Sequence, residues 1–265
     1  MYQPESKEEA AFLAAYDPSK YKNPAVAVDL TVFGYSKREK TLKALMVRRK
    51  NYPYRGWYSF PGGFMEIDEH IDCAVRRELE EETGLKDVYA ELYYVMGDPD
   101  RDPRQRVVTP EYFSLVDMER VRPQAGDDAA EAEWFTLSAY GREEVVRGNT
   151  RQETFRLTLS GCGRTFSPVL YRETVYQDAI ERREKVLDTG GIAFDHSQVA
   201  FYSLWRLQER LKNSDVAYNA LPQVFSLEEL EDLYQAAFLP RSAAKEAPGL
   251  RQTTGGYTFL PEEKE

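Results

Sequence analysis

Residues 62–85, GGFMEIDEHIDCAVRRELEEETGL, carry the side chains best suited to chemistry. Stepped about 100° per residue from Ile71 on an ideal helix, Ala74 falls near about 300°, Val75 near about 40° and Leu79 near about 80°. One face is therefore apolar. Glu78 falls near about 340° and Glu82 near about 20° on the same wheel, inside that apolar stripe. Arg76, Cys73 and Glu80 take the opposite side. A run such as ELEEE usually forms a solvated charged face, and that description fits Glu80 but not Glu78 or Glu82.

Two inward carboxylates four residues apart repel, and each loses hydration unless a positive group joins them. Their oxygens suit a hard cation, Mg²⁺ or Mn²⁺. Glu81 flanks the same place and stands four residues from Arg77, which can orient it. Gly62 and Gly63 let the backbone pass close to that helix face, so a carbonyl could add a ligand. A divalent ion beside a phosphate ester polarises it and activates water. The spacing alone fits a metal–phosphate site, and it also fits a buried structural ion-pair cluster.

The elements that must hold this segment follow from periodicity. Helix formers stand behind Ser6, an N-cap, over residues 6–16. Residues 25–35 and 43–49 read as strands joined by a polar turn, and GWYSFPGGF is a strand end running into a glycine loop. A helix is predicted from Asp68 to Thr83, with Gly84 placed to stop it. Residues 87–97, 106–117 and 131–137 read as strands. The interleaving predicts an α/β fold, a mixed sandwich. Residues 141–192 alternate apolar and polar and read as a β-rich insertion without an assigned use. Asp195 and Gln198 form a capping-box-like start to a helix reaching about Lys212, with Ala200, Leu204, Leu207 and Leu211 as its stripe. Ser226 and Glu229 make a second capping box ahead of Leu227, Leu230, Tyr234 and Ala237. A Gly-Gly turn near the end predicts a hairpin.

Composition narrows the function classes. The 265 residues hold 45 acidic and 35 basic side chains, a net charge of −10, with 42% hydrophobic residues. That balance fits a globular chain with a real core and disfavours nonspecific nucleic-acid binding. No apolar run approaches the ~18 residues of a spanning helix. The first residues lack the basic-then-apolar order of a signal peptide, and two cysteines cannot build a disulfide framework. The expectation is a cytoplasmic protein without a membrane partner. Two histidines, His70 and His196, argue against a His-rich metal site. His70 is expected to be exposed, and nothing near Cys73 suggests reactivity.

Gly63, Glu69, Arg77-Glu78-Leu79, Glu81-Glu82, Thr83 and Gly84-Leu85 stand at the spacing of the Nudix box, and the chain resembles the Nudix hydrolase family. The resemblance implies an αβα sandwich around a mixed sheet, with the box as loop–helix–loop. It implies hydrolysis of a nucleoside diphosphate linked to another group. Carried onto these positions, it makes Glu78 and Glu82 metal ligands and Gly62 a carbonyl ligand. Glu81 assists as ligand or base, while Gly63, Glu69, Arg77 and Gly84 shape the loop and helix.

GDPDRDPRQRVVTPEYFSLV is similar to the loop and strand of ADP-ribose-recognising members. Arg101, Arg104 and Arg106 there are candidate phosphate binders. The same arginines also fit a solvated loop with Asp98, Asp100 and Asp102 as counter-charges. Pro110 and Glu111 depart from the apolar and small residues the resemblance leads one to expect. AGDDAAEAEWF resembles the family's late acidic loop, which implies Asp127, Asp128 or Glu131 as candidates for a further base. Trp57, Tyr58 and Phe60 suit either base stacking or core packing.

Residues 192–238 resemble the ending of the Nudix-related transcriptional regulators of NAD metabolism, which sense ADP-ribose and bind DNA through a C-terminal winged helix. That organisation implies a Nudix domain over residues 17–212, carrying the 141–192 insertion, and a small degenerate winged-helix-like domain over 213–265. Two features argue against DNA as a partner. Pro240, Pro248 and three glycines interrupt the place of a recognition helix. From Asn213 onward, four basic side chains face nine acidic ones, a net −5, the wrong sign for phosphates. The predicted protein is therefore a Mg²⁺- or Mn²⁺-dependent hydrolase of a nucleoside diphosphate-linked small molecule, ADP-ribose foremost; the alternative is an ADP-ribose-sensing transcriptional regulator that binds DNA through its C-terminal domain. The resemblance also implies a homodimer.

Overall fold

The computed structural model describes residues 2–121 and 129–260. Helix α1 (Lys7–Ala15) starts at Ser6, whose side chain accepts the Glu9 N–H, and it buries none of its residues. The strands that follow are β1 (Ala25–Ser36), β2 (Thr41–Arg49), β3 (Tyr58–Ser59) and β4 (Gly62–Phe64). After α2 (Ile71–Thr83) come β5 (Glu91–Met96), β6 (Val107–Asp117), β7 (Ala129–Arg147), β8 (Thr150–Gly161), β9 (Arg164–Phe166), β10 (Val169–Tyr176) and β11 (Ile180–Asp188). The chain continues through α3 (His196–Asn213) and α4 (Leu227–Ala236) to a hairpin, β12 (Arg251–Thr253) and β13 (Gly256–Thr258).

The main sheet runs β11-β10-β8-β7-β2-β1-β6-β5, with β3, β4 and β9 pairing off β2, β1 and β8. Among the described residues β1–β6 is the one parallel strand pair, and a single parallel bridge joins Tyr58 to Ile192. A helix covers each face at the centre. Val28, Leu30 and Val32 of β1 and Tyr112 and Val116 of β6 pack against Ala74, Val75 and Leu79 of α2. The alternate residues Phe33, Tyr35, Phe113 and Leu115 pack with Leu204, Leu207 and Leu211 of α3. Both faces of β1 and β6 are therefore buried, which explains their nearly continuous apolar runs. Each Leu so buried contributes roughly 2 kcal/mol. The αβα arrangement matches the expected fold class.

Three local expectations meet a different outcome. Helix α2 begins at Ile71, not Asp68, because Glu69 is held by Arg77 and accepts the Glu66 N–H, and His70 takes the cap by accepting from Asp72 N–H. Gly84 ends the helix in the left-handed conformation, as expected. Asp195 precedes α3 without capping it. Its carboxylate is gripped bidentately by Arg101 at 2.7 and 2.9 Å, a charge-assisted pair stronger than one cap hydrogen bond. Residues 141–192 do form strands, but β7 crosses Gly141 without a break and pairs with β8 from Thr136 to Arg147, so these strands lengthen the main sheet.

The Ser226–Glu229 capping box is present in full on α4. Leu230, Leu233 and Tyr234 point into the core that α3 covers, together with Phe225 and Phe259. Between α4 and the hairpin, the described residues hold a six-residue 3-10 turn, Arg241–Glu246. Ser226→Ala should lower stability by about 1 kcal/mol, read from urea unfolding. No helix of the described residues is long and apolar enough to cross a membrane.

Candidate active site

The site forms where β4 passes across the apolar face of α2. Pairing of Val28 with Gly63 and of Asp29 with Gly62 lays the two glycines along β1. The Gly62 N–H donates to Glu82 Oε2 at 2.9 Å. A Cβ at Gly63 would overlap the Glu78 carboxylate, so only glycine lets the strand come this close. Gly63→Ala should displace that carboxylate and lower the activity of the site about a hundredfold, with initial rates as the check.

Arg77 organises the acids. Its guanidinium grips Glu69 at 3.1 and 2.7 Å, donates to Glu78 Oε1 at 2.7 Å and Glu81 Oε2 at 3.1 Å, and reaches the Phe64 carbonyl at 3.1 Å. This partnership holds the Glu69 carboxyl below its ordinary range. Burial pushes Glu78 up, and Arg77 opposes the shift. Glu82 has no cation hydrogen-bonded to it, and the Gly62 N–H and the Arg49 charge offset its burial only in part. Burial, with the charges of Glu78 and Asp29 adding to it, pushes Glu82 up to about 8. Glu81 stays exposed, and Glu80 sits outside on Lys86.

Glu78, Glu82, Gly62 and Gly63 line a cleft of about 220 Å³ together with Arg49 and Arg104. A smaller recess of about 60 Å³ shares Arg49, Gly62, Gly63, Phe64 and Arg104, and is closed by Asp29, Phe194 and His196. The three candidate arginines divide. Arg104 lies on both walls, chelated by Asp102 at 3.0 and 2.7 Å with its guanidinium 4.9 Å over the Phe64 ring. Arg101 is buried at the floor, committed to Asp195 and 3.8 Å from both Asp29 and Glu111. Arg106 lines neither cavity and donates to the Asp98 and Val107 carbonyls. The counter-charge reading therefore describes Arg104 and Asp102, while burial removes Arg101 from any solvated loop.

Several residues of this site were not singled out by sequence reasoning. Arg49 ends β2, and Phe194 and His196 arrive from the start of α3, so neither belongs to a local motif. His196 is buried; its Nδ1 accepts the Phe60 N–H at 3.0 Å, which leaves the proton on Nε2, 3.6 Å from Asp29. Burial lowers its pKa and keeps the ring neutral. Glu111 is fully buried beside Asp29, with both carboxylate oxygens lacking a hydrogen-bond partner. Burial and the Asp29 charge push it well above the ordinary carboxylate range, and the Arg101 charge opposes them. A single charged residue inside an apolar strand was the available signal for both Asp29 and Glu111.

Other candidates lie elsewhere. Tyr58 and Phe60 are core residues, whereas Trp57 is exposed. Glu131 pairs with Arg48 and Tyr58 and lines neither cavity. Asp127 and Asp128 lie outside the described residues. His70 and Cys73 are exposed, as expected.

Among the described residues, no three His, Cys, Asp or Glu side chains converge as a metal cluster. The site nevertheless fits a hard cation. It offers two half-buried carboxylates, one without a cationic partner, and oxygen donors of the right kind. Glu78 and Glu82 would hold the ion, leaving further positions to a backbone carbonyl such as that of Gly62, to substrate and to water.

Comparison with known proteins decides the family. A NUDIX domain model matches residues 24–155. Over 136 residues the chain is 40% identical to the ADP-ribose pyrophosphatase of Methanocaldococcus jannaschii, covering 49% of this chain and 76% of that protein. The chain belongs to the Nudix family. The Nudix box is thus the loop and helix described above, with Gly63, Glu69, Arg77, Glu78, Glu81, Glu82 and Gly84 in place. The ADPR responsive transcriptional repressor NtrR of Acinetobacter baylyi is 26% identical over 229 residues, 86% of this chain and 72% of its own length. A crystal structure of a MutT/nudix family protein from Enterococcus faecalis superposes with a TM-score of 0.72 at 25% identity, covering 95% of this chain and 92% of that one.

Proposed function

We propose that this Nudix protein is a divalent-metal-dependent pyrophosphohydrolase that cleaves ADP-ribose to AMP and ribose 5-phosphate. One observation carries the reading. The two half-buried carboxylates Glu78 and Glu82 share a cleft with the guanidiniums of Arg49 and Arg104. Excess negative charge beside excess positive charge suits a cation on one side and a phosphate chain on the other. A bound Mg²⁺ or Mn²⁺ supplies phosphoryl polarisation and a more acidic water.

The side chains do the remainder. Arg49 and Arg104 neutralise the non-bridging oxygens, and Arg77 favours the ionised form of Glu78 and orients it. The net change is addition of one water across the P–O–P bridge. ADP-ribose is preferred because the similar protein from Methanocaldococcus jannaschii bears that activity in its name. The test is product chromatography with Mg²⁺ on ADP-ribose, NAD, NADH, diadenosine polyphosphates and UDP-glucose. AMP from ADP-ribose at the highest kcat/KM is the expected result, and faster cleavage of another member reassigns the substrate.

A second reading, an ADP-ribose-responsive repressor, is favoured by the similarity to NtrR, which extends over 86% of this chain. The net −5 after Asn213 and the short turn Arg241–Glu246 weigh against it. A gel shift on the chain's own upstream DNA, with and without ADP-ribose, separates the two. A shift that ADP-ribose releases would establish the repressor.

A further inference from the structure

Phe194 lies 39 residues beyond the end of the stretch that matches the NUDIX domain model, yet it closes the recess beside the cleft and shares that recess with Arg49 and Arg104. Its backbone is left-handed, with φ of 51°, an uncommon state for a residue with a bulky side chain. The neighbours hold it there. Ala193 N–H donates to the Tyr58 carbonyl at 2.9 Å, and Ile192 bridges Tyr58 beside β3. On the other side, Asp195 is chelated by Arg101 and His196 accepts the Phe60 N–H. Tyr54 braces the ring, with centroids 4.6 Å apart.

Two cations share that ring. The Arg49 guanidinium carbon stands 4.7 Å from its centroid and that of Arg104 stands 5.8 Å away. Arg104 is neutralised by Asp102, but among the described residues no carboxylate lies within ion-pair distance of Arg49, which donates to the Pro53 carbonyl at 2.9 Å. Burial and the nearby Arg104 charge press Arg49 toward losing its proton, and the charges of Glu82, Asp29 and Asp102 oppose them. Of the two guanidiniums over this ring, only Arg104 has a carboxylate at ion-pair distance among the described residues, so a phosphate placed between them would meet Arg49 without displacing a direct ion pair. Both line the cleft that holds Glu78 and Glu82.

We propose that Phe194 is a positioning residue whose ring face holds Arg49 and Arg104 as a paired clamp for the diphosphate of the substrate. This inference rests on the hydrolase reading for its substrate, though the clamp binds a diphosphate whether or not cleavage follows. Cation–π attraction fixes each planar fork before the ligand arrives, so less rotamer freedom is lost on binding. The clamp should govern affinity more than the chemical step.

The experiment compares wild type, Phe194→Leu and Phe194→Tyr. Leu keeps bulk and the same backbone demand while removing the π face, and Tyr keeps the face. The readouts are KM and kcat for ADP-ribose with Mg²⁺, Kd for ADP-ribose in EDTA, and melting temperature. Phe194→Leu should raise KM and the metal-free Kd about tenfold while kcat changes less than about threefold; Phe194→Tyr should stay near wild type. In a Phe194→Leu background, the penalty of Arg49→Lys should shrink. Unchanged KM and Kd in Phe194→Leu, or equal impairment in Phe194→Tyr, would overturn the clamp. If wild type cleaves nothing yet binds ADP-ribose in EDTA, and Phe194→Leu weakens that binding tenfold, the hydrolase reading fails and the clamp stands.

Discussion

Replacing Glu82 by Gln should reduce hydrolysis about a thousandfold, the several kcal/mol that a properly held metal contributes to the transition state. The same change should not destabilise the metal-free protein at neutral pH. Glu82 has an ordinary value of 4.5 and is pushed up to about 8 in the fold. Between those values the folded protein binds more protons than the unfolded chain. Its contribution is therefore full below about pH 4.5 and is lost as the pH rises through about 8. Gln mimics the protonated acid and removes that slope. In wild type, Mg²⁺ should raise the melting temperature more at pH 8 than at pH 5.5, because the ion takes the place of a proton. In Glu82→Gln the pH-dependent part of this gain should shrink to what Glu78 contributes. Thermal melts across pH, with and without Mg²⁺, give the comparison. An active Glu82→Gln enzyme would remove Glu82 from the metal site.

Arg77→Met should lower stability by roughly 3 kcal/mol and abolish most activity together. Five hydrogen bonds leave this one guanidinium, to Glu69, Glu78, Glu81 and the Phe64 carbonyl. The side chains of Glu69 and Glu78 are only 14% and 13% exposed, so both would lose their counter-ion in a poorly solvated place. Arg77→Lys should recover only part of the loss, since an ammonium cannot repeat the bidentate grip on Glu69. Urea unfolding gives the stability and initial rates give the activity. A Met variant with wild-type stability would show that the acids do not depend on Arg77.

How far the site could be read in advance depends on where its residues lie. Glu78, Glu82 and Arg77 lie on one helix, and a 3.6-residue period places them against Ala74, Val75 and Leu79 without any knowledge of the sheet. Their inward burial followed from that period. Arg49, Asp29 and Phe194 come together only because β1 pairs with β2 and β4 while α3 returns across the same face. No local pattern encodes that meeting. Asp195 shows a tertiary partner overriding a local rule: its sequence position favours capping, but Arg101 takes both oxygens. Arg101 itself sits in a charged, proline-containing stretch that reads as solvated, and only the acids beneath it explain why it is buried. The continuity of β7 past Gly141 was hidden for a similar reason, since a long strand and two short ones share the same alternation.

The most direct measurement of the central claim is release of AMP from ADP-ribose by the purified protein, with Mg²⁺ and then with EDTA. AMP and ribose 5-phosphate appearing in equal amounts with Mg²⁺, and neither with EDTA, is the predicted result. Equal release under both conditions, or none under either, would contradict a metal-dependent hydrolase built on Glu78 and Glu82.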